Sequence, residues 1–138
     1  MIVAIDPGVT TGVAWWTQDG FASDQFDEHT FYRWIDQRAW NIAHLQCESF
    51  IINAATVRKT VVYDSLYLIG YLRYKAYQNN FPMAFTKPAD VMGPFPDAAL
   101  KRAGFFNKGK GHANDAARHL AHHLVRTGRL SGSLFLPG

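Results

Sequence analysis

The chain has 138 residues, 48% of them apolar and 18% charged, which suits one buried core and one domain spanning 1–138. A single cysteine, Cys47, excludes an internal disulfide, and the lack of both an apolar run of about 18 residues and a signal-peptide pattern predicts a cytoplasmic protein off the membrane. The net charge of +3 is uneven: residues 1–57 carry two basic against seven acidic side chains, residues 58–138 twelve against four, and the basic half reads as a footprint for a polyanion.

In chain order, MIVAID is a short apolar run ending on an acid, the pattern of a central strand buried on both faces. Pro7-Gly8 breaks it, and Thr10-Thr11-Gly12 leads into GVAWWT, which predicts an antiparallel hairpin. Asp19-Gly20 marks the next turn, with a third strand near Phe21–Phe26. From Asp27 the spacing of Phe31, Trp34, Ile35 and Arg38 becomes helical, with acids in the first turn. Ile42–Phe50 reads as a fourth strand. Residues 61–78 are apolar nearly all round, so a buried or interfacial helix is expected there. Phe81–Phe85 forms a fifth strand, Lys87-Pro88 opens a short helix, and Asp97–Ala103 resumes helix after Pro94 and Pro96. FFNKGKG (105–111) reads as a flexible basic loop, His112–Thr127 as the last helix, and SGSLFLPG as a loosely held tail.

This order, β-β-β-α-β-α-β-α, predicts a mixed α/β sheet of five strands flanked by helices. The crossover to strand 4 is long enough to lay it parallel to strand 1. Asp6 and Glu48 would then emerge together at the carboxyl edge of the sheet, where α/β proteins place their sites. Two close acids repel unless a cation lies between them, and hard oxygen donors suit Mg²⁺ or Mn²⁺. Asp115, in the first turn of the last helix, supplies a third acid for a two-metal site of phosphodiester cleavage. On the helical wheel His112, Asp115, His119 and His122 share one polar arc, while Ala116, Leu120 and Leu124 face the sheet. Each acid also has a plainer role: Asp6 as turn former, Glu48 as exposed edge residue, Asp115 as helix-start charge. His119, His122 and His123 read as a solvated helix face.

IVAIDPGVTTGVAWW, LQCESF and GHANDAARHLAHHLV, in this order, resemble the first hairpin, the glutamate-bearing fourth strand and the closing helix of the RuvC-type Holliday-junction resolvases. The resemblance covers most of the chain and implies an RNase H-like fold, a homodimer and Mg²⁺-dependent nicking of branched DNA in recombination and repair. It carries the metal-binding and catalytic roles to Asp6, Glu48 and Asp115. It adds His112 as a further ligand or water-activating group, and Lys87 as a catalytic lysine after strand 5. The family's DNA-wedging aromatic region is matched loosely, by Phe50. Compact members of this kind resemble phage-encoded versions, whose compartment is the host cytoplasm.

Arg58, Lys59, Lys87, Lys108 and Lys110 are the expected phosphate contacts. In the helix at 61–78, Val61, Ser65, Leu68, Leu72 and Ala76 form one stripe and Tyr63, Tyr67, Tyr74 and Tyr77 another, so one face needs a partner. Gly70 inside that helix suits a close backbone approach. Three other readings fit parts of the pattern: an ATPase of the sugar-kinase and actin superfamily, which needs two lobes; an inactive nucleic-acid-binding module; and a nuclease for flaps, forks or RNA–DNA hybrids.

Overall fold

A computed structural model describes residues 1–49 and 60–138; the side chains of residues 60–62 are not described. Five strands form one mixed sheet: β1 (Ile2–Asp6), β2 (Thr10–Thr17), β3 (Gly20–Asp27), β4 (His44–Glu48) and β5 (Met83–Thr86). Their spatial order is β3-β2-β1-β4-β5. β1 and β2 pair antiparallel, as do β2 and β3, while β4 runs parallel to both β1 and β5. Among the described residues five α-helices flank the sheet: α1 (Glu28–Arg38), α2 (Thr60–Asn79), α3 (Pro88–Met92), α4 (Asp97–Ala103) and α5 (Gly111–Arg126). Among the described residues no helix is long and apolar enough to cross a membrane.

Strand parity divides the core in two, because successive side chains point to opposite faces of a sheet. Val3 and Ile5 of β1, Val13 of β2, and Leu45 and Cys47 of β4 pack under Phe31, Trp34 and Ile35 of α1 and Leu68 and Leu72 of α2. Ile2 and Ala4 of β1 and Ala14 of β2 face the other way, against Leu100 of α4 and Ala116, Ala117, Leu120 and Leu124 of α5. By the same parity Asp6 of β1 and His44, Gln46 and Glu48 of β4 belong to the α5 face. The register carries Ile5 beside Cys47, so the acids that follow these residues leave the sheet side by side.

The last helix comes unusually close to the sheet. A Cβ on Gly12 would lie 1.8 Å from the carbonyl oxygen of His112 and 3.0 Å from the amide nitrogen of Ala113. Gly12 pairs with Asp6 across the hairpin. The absence of a side chain there lets the first turn of α5 settle over β2 and brings His112 to Asp6. Alanines at 113, 116, 117 and 121, all fully buried, maintain that approach along the helix.

Three expectations change. The tail is anchored: Phe135 is buried, edge-on to Phe95 at 4.9 Å and to Phe105 at 5.4 Å, and its carbonyl accepts from Arg102 Nη1 at 3.2 Å. A buried phenylalanine contributes about 1.5–3 kcal/mol, enough to hold a short segment. The 105–111 loop is fastened as well. Phe105 stacks on Phe21 at 4.1 Å, Asn114 Oδ1 accepts from the Asn107 amide at 2.7 Å, and Lys110 pairs with Asp24 at 2.6 Å. Gly70 has no neighbour within 4 Å of a Cβ position, so nothing among the described residues of this chain requires glycine there. On α2, Ser65, Leu68, Leu72 and Ala76 are the buried stripe, while Tyr63, Tyr67, Tyr74 and Tyr77 are exposed.

Candidate metal centre

The site lies where the sheet changes from antiparallel to parallel pairing, beyond the carboxyl ends of β1 and β4. Asp6 ends β1 and is 9% exposed; Glu48 ends β4; α5 passes above them with His112, Asp115 and His119 turned toward the same cleft. The cleft measures about 610 Å³, with Asp6, Glu48, His112, Asp115, Arg118 and His119 among its polar lining and Val9, Pro88, Val91 and Met92 as apolar walls. One ligand atom each from Asp6, His112 and Asp115 lies within 4.8 Å of the others. His112 Nδ1 is 3.1 Å from Asp6 Oδ2. Ser65 on α2 donates to the Pro7 carbonyl at 3.0 Å and braces the turn that follows Asp6.

The electrostatics are those of crowded acids. Burial, then the hydrogen bond and charge of Glu48, then Asp115, push the Asp6 carboxyl up to about 9. Asp115 is also raised, first by burial, with the Arg118 guanidinium pulling the other way. Glu48 goes down: burial opposes its charge, but hydrogen bonds from His119 and Asp6, together with the charges of His119 and His112, outweigh burial. Three oxygen donors and one imidazole nitrogen at the edge of a solvent-open cleft are a donor set that a hard divalent cation fits, and such a cation would replace the proton that Asp6 retains.

Two buried side chains hold the outer acids. His119 Nε2 approaches Glu48 Oε2 at 3.5 Å. Arg118 donates to Asp115 Oδ1 at 2.7 Å, to the Phe95 carbonyl at 2.9 Å and to Asp97. His119 is 1% exposed, and His123, one turn on, is buried and stacked on His44 at 4.1 Å. These two histidines are therefore not a solvated face. They lie along a polar seam with His44, Gln46 and Glu48 of β4. The alternation of HLQCE holds the signal for this seam, since its polar residues share the parity of Glu48. Asp115 falls in the second turn, because α5 begins at Gly111 and its first turn holds no acid; helix-end compensation therefore does not account for it.

Lys87 follows β5 at the same sheet edge, exposed, immediately before α3. Lys108 is exposed, and the ammonium of Lys110 is engaged by Asp24 of β3. Phe50, Arg58 and Lys59 lie outside the described residues. Arg118 and Gly12 were not singled out by the motif reading. The spacing of Arg118, three residues after Asp115, was the available cue for one, and the glycine inside an apolar strand was the cue for the other.

Five strands ordered β3-β2-β1-β4-β5 in a mixed sheet flanked by helices make the RNase H-like fold. Among solved structures, the chain is similar to Thermus thermophilus RuvC in complex with Holliday junction substrate, at 15% identity and a TM-score of 0.63, over 92% of this chain and 94% of that one. It is similar also to the fowlpox virus Holliday junction resolvase, at 12% identity and 0.56, over 94% and 99%. YeaZ from Pseudomonas aeruginosa shares the fold at 9% identity and 0.54, over 99% of both chains. No family model matches the chain, and no curated protein matches its sequence.

Proposed function

We propose that this protein is a metal-dependent endonuclease that nicks branched DNA, with the four-way Holliday junction as its preferred substrate. The observation that carries the reading is the convergence of Asp6, Glu48, Asp115 and His112 on one cleft, with ligand atoms of Asp6, His112 and Asp115 within 4.8 Å of one another. The likeness to two resolvases supports it.

Asp6, Glu48, Asp115 and His112 would hold Mg²⁺ or Mn²⁺, two ions per site. Bound there, the ions supply Lewis-acid polarisation of a phosphoryl oxygen and a water acidified toward neutral pH. The chain's own groups do the rest. The sheet edge fixes Asp6 and Glu48, and α5 fixes Asp115. His112 Nδ1, 3.1 Å from Asp6 Oδ2, ties this half-exposed ring to the same cleft. Lys87, at the same edge, would face the scissile phosphate. Lys108, with Arg58 and Lys59, would contact the DNA backbone.

A homodimer would set two such clefts side by side, as paired nicking of a symmetric junction requires. The exposed tyrosine row on α2 is the surface for it. The deciding experiment presents four-way junction, flap, fork and RNA–DNA hybrid substrates in parallel, with Mg²⁺ or Mn²⁺. Paired symmetric nicks in the junction are expected. Preference for flaps, forks or hybrids would keep the nuclease and discard the resolvase, and no cleavage of any substrate would leave a binding module.

A further inference from the structure

We propose that Arg118 is a positioning residue for Asp115: it orients one carboxylate of the metal site and anchors it to a different helix. This inference rests on the metal-site reading above and extends it to a residue of the cleft wall that the reading did not use. The guanidinium is almost fully buried, and its three donor nitrogens are all engaged: Nε by the Phe95 carbonyl at 2.9 Å, Nη1 by Asp115 Oδ1 at 2.7 Å, and Nη2 by Asp97. Two of these acceptors lie outside α5: Phe95 in the link before α4, and Asp97 as its first residue. The planar fork is therefore fixed from both sides and cannot swing with its own helix. Asp115 accepts through Oδ1, and one of its carboxylate oxygens lies within 4.8 Å of the ligand atoms of Asp6 and His112.

Charge and geometry act in opposite directions here, which makes the two separable. A positive charge beside a cation site opposes metal binding; a fixed fork that orients a ligand favours it. If Arg118 served only to tie α4 to α5, the Phe95 and Asp97 bonds would suffice, and the bond to the site acid would have no consequence for metal. Arg118→Lys keeps the charge and removes the fork. Partners that orient metal ligands typically contribute 10- to 100-fold in affinity or activity, and a loss of about 10-fold in Mn²⁺ affinity is expected from that variant.

The test is Mn²⁺ binding by calorimetry on wild type, Arg118→Lys and Arg118→Gln, beside melting temperature in EDTA and junction binding without divalent metal. Expected are a weaker Mn²⁺ isotherm for Arg118→Lys, unchanged junction affinity, and a fall in kcat without a matching rise in KM. Equal Mn²⁺ affinity in Arg118→Lys and wild type, or tighter binding in Arg118→Gln with Arg118→Lys normal, would reduce Arg118 to a charge or a tie and overturn the proposal. Should the Arg118 variants melt without cooperativity, Asp97→Ala decides. It removes the outer acceptor at an exposed position and should weaken Mn²⁺ binding in the same direction by a smaller factor; no change overturns the proposal. A wild type that binds no Mn²⁺ overturns the metal-site reading together with this one, whereas wild-type binding with indifferent variants overturns this one alone.

Discussion

Asp6 combines deep burial with two acidic neighbours, and that combination decides what its replacement should do. Asp6→Asn removes a carboxyl that holds a proton up to about 9, so the metal-free fold should lose nothing. In EDTA its melting temperature should equal or exceed that of wild type, by on the order of 5 °C if about 1 kcal/mol of crowding is relieved. Mn²⁺ should raise the melting temperature of wild type and leave that of Asp6→Asn unmoved. Glu48→Gln and Asp115→Asn should likewise retain the fold and lose at least 100-fold in cleavage rate, a scale of about 2.7 kcal/mol in the barrier. Near-normal turnover in a well-folded variant would remove that residue from the centre.

Among the elements, α5 and the strands beneath it carry two expectations. Gly12→Ala would set a methyl against the His112 backbone, a contact that cannot be relieved by rotating a side chain. Overpacking of this kind costs about 1–3 kcal/mol, and the start of α5 must lift to accommodate it. A lowered melting temperature and reduced turnover should appear together, since His112 and Asp115 move with the helix; a variant as stable and active as wild type would show that the approach is not needed. At the far end of the seam, His123 is held down to about 4 by burial first, then by the charges of His44, Arg126, Arg129 and His122. Its folded value lies below the ordinary 6.5, so the unfolded chain binds the extra proton. The contribution of His123 is present above about 6.5 and lost as the pH falls through about 4. His123→Phe, which keeps a ring against His44 but cannot titrate, should lose less melting temperature than wild type between pH 7 and pH 4. Parallel curves for the two proteins would assign the acid sensitivity elsewhere.

For the whole molecule, the tyrosine row on α2 and the uneven charge are the surfaces on which assembly and DNA binding would depend. Sedimentation equilibrium at micromolar concentration should show a dimer, and Tyr67→Glu with Tyr77→Glu should disperse it, because both positions are among the most exposed aromatics of the chain. A monomer at all concentrations, with and without junction DNA, would defeat the interface and the paired-nick mechanism with it. DNA affinity should fall steeply with salt as phosphate counterions are released.

How much of this could be read before the fold was known follows from how far apart the cooperating residues lie in the chain. The strands and helices of MIVAID, GVAWWT and His112–Thr127 are written in the periods 2 and 3.6 of neighbouring residues, and so were legible locally. The same parity placed Asp6 and Glu48 on one edge once β1 and β4 were taken as parallel neighbours, and that pairing is observed. The burial of His119 and His123 is not legible locally, because a wheel distinguishes polar from apolar but not covered from open. His119 and His123 sit on a polar arc that β4 happens to roof with its own polar residues. Gly12 and His112 are a hundred residues apart, and Arg118 meets Asp97 only where α4 crosses α5. Sequence by itself therefore determined which segments are strands and helices and which acids could meet. Tertiary structure alone decided which charges are buried, which hydrogen bonds hold them, and how near the last helix comes to the sheet, because those are properties of surfaces brought together by folding, and no local period encodes them.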